Sequence, residues 1–118
     1  MAVFKYEIVT DIPADVTSID GYLAWVQETI GTDAWTALEA YVMDERDSLA
    51  NHARWIDADE SKLHAVRFFN TPAAAAVSRT STSNLMADAT GITATISEVE
   101  EITDAAMNVI MMQDQNHI

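Results

Sequence analysis

The chain has 118 residues, 49% of them hydrophobic, with 19 acidic and 6 basic side chains, three Gly, two Pro and no Cys. One domain of that length buries a core without covalent staples, and the lack of cysteine excludes a disulfide framework, a thiolate metal site and a cysteine nucleophile. A charged fraction of 21%, with no apolar run near the roughly 20 residues of a spanning helix, argues against both disorder and a membrane span.

The opening stretch has Lys5, then charges of both signs and no apolar segment, so it does not read as a signal peptide and a cytoplasmic location is expected. From Val3 to Thr10, Phe4, Tyr6 and Ile8 alternate with Lys5 and Glu7, the period of a half-buried strand that Pro13 ends. Thr17 or Ser18 caps a helix over about 19–30, with Tyr22, Leu23, Val26 and Ile30 on one stripe and Gly31 as the stop. Thr32 or Asp33 caps a second helix through about Ala50, although Trp35 to Val42 also alternates as a strand. His52 to Asp57 and Leu63 to Phe69 read as the arms of a hairpin. The turn is either Glu60-Ser61 or a loop from Asp59 to Lys62, and both make opposed residue numbers sum to 121. That register sets Trp55 opposite Val66 and Arg54 opposite Arg67. Thr71-Pro72 opens a third helix towards Gly91, whose periodicity is interrupted by the polar run 78–84; Ile92 to Ser97 reads as a last strand, and Thr103 caps a C-terminal helix.

These elements predict a single α+β domain over residues 1–118: an antiparallel sheet with the helices packed on one face, an extra helix and a C-terminal helical tail. The order is similar to the ferredoxin-like βαββαβ arrangement, a resemblance of fold only. Phe4, Tyr6, Ile8, Trp55, Val66, Phe68, Ile92 and Ile96 are expected under the helices. Lys5, Glu7, Arg54, Arg67, Phe69, Thr93, Thr95 and Ser97 are expected on an open face.

Two arginines opposed across strands cost free energy unless something negative lies between them. Glu7, an acid from a second subunit, or a carboxylate or phosphate ligand would serve, so Arg54, Arg67, Phe69, Lys5 and Glu7 are the anion-site or interface candidates. His64 opposite Asp57 is a weaker acid–base candidate, since a carboxylate orients an imidazole but no nucleophile accompanies the pair. No metal site is expected, because His52, His64 and His117 lack the spacing of a zinc motif. No cofactor is expected either, because Gly21, Gly31 and Gly91 stand alone and form no phosphate loop. Met107, Ile110 and Met111 make the segment 102–118 a candidate partner-docking tail, the alternative being a helix that docks on the core.

Charge narrows the partners. Residues 1–45 hold nine acids against Lys5 alone, and residues 80–118 hold six acids and no base, giving a net charge of −13. Such a field repels phosphate backbones and anionic lipid, so direct nucleic-acid and membrane binding are disfavoured. The leading expectation is a small non-catalytic assembly protein that forms a homo-oligomer through its open sheet face. The alternatives are an acidic mimic of nucleic acid that binds a basic, DNA-acting protein, and a small enzyme or anionic-ligand binder with a pocket between sheet and helices.

Overall fold

The computed structural model describes residues 2–45 and 50–115, with side chains for all of these except 41–45. Capping chemistry sets most of its helix boundaries. Ser18 accepts a hydrogen bond from the Gly21 amide at 3.0 Å and opens α1 (Ile19–Ile30), which ends where Gly31 takes a positive φ of 87°. The chain turns there into α2 (Thr32–Glu45), so the helical reading of this segment prevails over the strand; its expected continuation to about Ala50 crosses 46–49, outside the described residues, and Ala50 itself is not helical. Thr71 caps α3 (Pro72–Asp88) with proline in the first turn, and Thr103 caps α4 (Asp104–Met111).

The sheet is antiparallel throughout. β1 (Ala2–Asp11) lies between β3 (Lys62–Phe69), with β2 (Asn51–Asp57) beyond it, and the short strands β4 (Ala94–Ile96) and β5 (Glu100–Thr103). The strand order is β2-β3-β1-β4, with β5 continuing along β1. The β2–β3 loop covers 58–61 and closes one residue earlier than expected, because Asp57 Oδ1 accepts from the Asp59 and Glu60 amides and Ser61 adopts a left-handed φ of 54°. Opposed residues therefore sum to 119: Arg54 faces Ala65, Arg67 faces His52, and Asp57 faces Lys62.

Helices cover both faces of the sheet, not one. Tyr6, Ile8 and Phe69 pack with Ala75 of α3, and Ile56 and Leu63 lie against Ile19, Tyr22 and Trp25 of α1. On the opposite face Val3, Ala53, Val66 and Phe68 pack against Met107, Ile110 and Met111 of α4. Trp55, Val66 and Phe68 thus belong to the other face from Tyr6 and Ile8. Phe68 and Phe69 are adjacent and both 0% exposed, as a strand buried on two faces requires. The three tail residues are partly buried, packed against this core as in a docked helix.

A bulge lets one edge serve both faces. Ile96 stands opposite Ile8 and packs on the α3 side, whereas Ile102 stands opposite Val3 and packs with α4. One extra residue between the strands inverts the alternation. Ser97 holds the bulge, its Oγ accepting from the Glu7 amide and its own amide donating to the Glu7 carbonyl, each at 2.8 Å. Arg79 of α3 donates to the carbonyls of Ser97 and Ile96 and reaches Glu98 at 3.2 Å. The expected single strand 92–97 is accordingly shorter, and Ile92 leaves the sheet. On the far edge, the Arg54 amide donates to Asp114 Oδ1, the Arg54 carbonyl accepts from the Gln115 amide, and the Ile56 amide donates to Gln115 Oε1, which covers backbone groups of β2.

The second covered face has a direct test. Phe68→Ala is expected to lower the unfolding free energy by about 3–5 kcal/mol in urea titration. A residue on a bare face would change it by only about 0.5 kcal/mol.

Candidate functional site

The polar run in α3 explains itself once the helix lies on the sheet. Ser78 and Thr82, one turn apart and both buried, turn inward to the hydroxyl of Tyr6, which is itself 0% exposed. Tyr6 Oη lies 2.6 Å from Ser78 Oγ and 3.0 Å from Thr82 Oγ1, and Arg67 Nη1 donates to Tyr6 Oη and Thr82 Oγ1, each at 2.9 Å. Tyr6 also stacks on Phe69, with 5.9 Å between ring centroids. A phenol buried in an apolar interface must pair its hydroxyl, and these residues do so.

Arg67, Arg54 and Phe69 were expected on an open face, yet all three lie on the face that carries α1 and α3. The guanidinium of Arg54 lies 6.0 Å over the ring of Tyr22 from α1. Burial lowers its pKa, an effect opposed by Tyr22 and Asp114 and reinforced by Arg67. Burial likewise pushes the Tyr22 phenol up, while Arg54, Arg67 and a hydrogen bond with Thr10 pull it down. The arginines therefore act as struts between sheet and helices.

On the other face, Glu7 pairs through Oε2 with His64 Nδ1 at 2.9 Å, and the imidazole stacks on Trp55 at 5.1 Å, nearly parallel. Asp57 is not the partner of His64, because its carboxylate closes the hairpin turn. Lys5 pairs with Glu100 at 3.2 Å, and Lys62 pairs with Asp11. These residues form a half-exposed strip beyond the cover of α4. Among the described residues, no three His, Asp or Glu side chains converge to hold a metal ion. No described helix is long and apolar enough to cross a membrane. His117 lies outside the described residues.

A further concavity lies elsewhere, a cavity of about 310 Å³ bounded by three helices. Tyr22, Val26 and Ile30 supply the α1 wall at helical spacing, Ala34, Ala37 and Leu38 the α2 wall, and Leu85 and Met86 the α3 wall, with Ile92 closing one side. Asp33 and Asp88 complete the lining. Gly91 keeps the turn after α3 against α1, for at its φ of 92° a Cβ would stand 2.9 Å from Thr29 Cγ2. Sequence reasoning left these residues out of any site. The only available signal was a pair of apolar stripes, on α1 and α2, which core packing would have explained equally well.

No protein-family model, curated protein or solved structure matches the chain.

Tyr6→Phe leaves the hydroxyls of Ser78 and Thr82 and one Arg67 nitrogen to re-pair, and an expected loss of about 1–3 kcal/mol would appear in urea unfolding. Tyr22 supplies a pH test. Because its folded-state pKa is raised above 10.0, stability is present below that pH and lost as the pH climbs through the folded value. The difference in unfolding free energy between the wild type and Tyr22→Phe is expected to change only above about pH 10.

Proposed function

We propose that this chain is a non-catalytic binding domain that takes a small, largely apolar molecule into the cavity between α1, α2 and α3. The cavity itself carries the reading. Ile30, Leu38, Leu85, Met86 and Ile92 are large apolar side chains left half-buried around one shared space. Water there gains few hydrogen bonds, so an apolar occupant displaces it favourably. A volume near 310 Å³ lies at the lower end of small-molecule sites, about twice that of a cavity that holds benzene, and so suits roughly a dozen non-hydrogen atoms. Its described lining holds two carboxylates, Asp33 and Asp88, both exposed and with no histidine, lysine or serine beside them, which favours binding over turnover. The strand order read from the other edge, β4-β1-β3-β2, supports a ferredoxin-like scaffold extended by α2, β5 and α4.

Self-association is a second reading, favoured by one observation. The strip of Glu7, Val9, Trp55 and His64 is only half-buried, and α4 and the residue that ends it carry the exposed side chains Val109 and Met112, 63% and 84% accessible. Homo-oligomers formed through this surface should dissociate on Val109→Asp with Met112→Asp, as read by light scattering. Mass unchanged by the pair of substitutions removes this reading.

The cavity reading is tested with 1-octanol. It should raise the melting temperature in a saturable way, because a ligand that binds only the folded state stabilises it by mass action. Ala34→Phe, which puts a ring into the cavity, should retain the fold and abolish the shift. An undiminished shift in that variant places binding elsewhere.

A further inference from the structure

The electrostatics of the cavity select among apolar molecules. Two helices end at its wall, α1 at Ile30 and α3 at Asp88, and neither carries a basic residue in its last turn. Each C-terminus presents carbonyl oxygens equivalent to about half a negative charge. The N-terminus of α2 also reaches the cavity, and Asp33 in its first turn offsets the positive end of that helix. Asp33 and Asp88 are both exposed at the rim, and the described lining contains no Lys, Arg or His. Arg54 lies over the Tyr22 ring and is not part of the wall. Around this site the whole chain carries −13.

We infer that the cavity binds an organic monocation, an amine with a compact apolar body of about a dozen non-hydrogen atoms or fewer, whose body fills the space among Val26, Leu38 and Met86 while its charge lies between Asp33 and Asp88. The inference rests on the cavity being a binding site, and it concerns a place distinct from the anion site that the arginines suggested. An anion would meet two carboxylates and two helix C-termini with no cation among the described lining residues. A neutral isostere would fill the same space without the electrostatic gain.

Three probes with a common tail separate these cases: n-octylamine, 1-octanol and octanoate, titrated calorimetrically at pH 7 in low salt. The amine is expected to bind about tenfold more tightly than the alcohol, and octanoate more weakly than either. Raising the salt to about 0.5 M should shrink the spread, because charges at an exposed rim are screened. In an Asp33→Asn, Asp88→Asn double variant the amine should fall to the level of the alcohol, whose own affinity stays unchanged. Equal binding of amine and alcohol, or a preference that survives the double variant, overturns the charge inference and leaves the cavity reading intact. Amine binding that persists in Ala34→Phe reports the acidic surface and also overturns it. If none of the three probes binds, the cavity reading falls as well.

Discussion

The hydroxyl of Tyr6 is the point around which this fold is arranged. It sits at the centre of the sheet, on the middle strand, with no access to solvent, and an unpaired phenol there would cost several hydrogen-bond equivalents of desolvation. Ser78, Thr82 and Arg67 pair it, and in doing so they fix the rotation of α3 about its axis and the height of that helix on the sheet. A helix with an apolar inner face could slide along the strands. One that must deliver two hydroxyls to a single oxygen has a unique register.

That fixed helix also organises the neighbouring edge. Arg79, one residue after Ser78, points away from the Tyr6 cluster and holds the carbonyls of the bulge between β4 and β5. The bulge exchanges the faces of the two short strands, so that one edge supplies Ile96 to the α3 side and Ile102 to the α4 side. Closing the second face with so short a helix works because Thr103 both ends β5 and caps α4, bringing Met107, Ile110 and Met111 directly over Val3 and Val66.

The cavity follows from the same arrangement. The first half of α1 is tied to the sheet through Ile19, Tyr22 and Trp25, whereas its end runs on to Gly31 and the turn into α2. The end of α3 approaches from the other side, with Gly91 allowing the turn behind it to rest on Thr29. Space is left between these ends because the helices are positioned by contacts at their other extremities. The helix termini, and so their partial charges, collect at that space.

Much of the local structure was legible in the sequence, because its causes are local. Ser18 and Gly31 bound α1, Thr71-Pro72 opens α3 and Thr103 opens α4, each through a hydrogen bond or backbone preference spanning a few residues. What only the tertiary structure decided is which face each residue serves and where the helix ends gather. Alternation tells that neighbouring side chains oppose each other, but it carries no information on whether one face or both are covered, so Phe68 and Phe69 could be assigned only once α4 had docked. The polar residues of α3 look like an interruption until Tyr6 supplies their partner from 72 residues away. Arg54 and Arg67 look like a surface anion site until α1 and α3 lie over them. Pairings across such distances are set by packing in three dimensions, which a one-dimensional pattern does not encode.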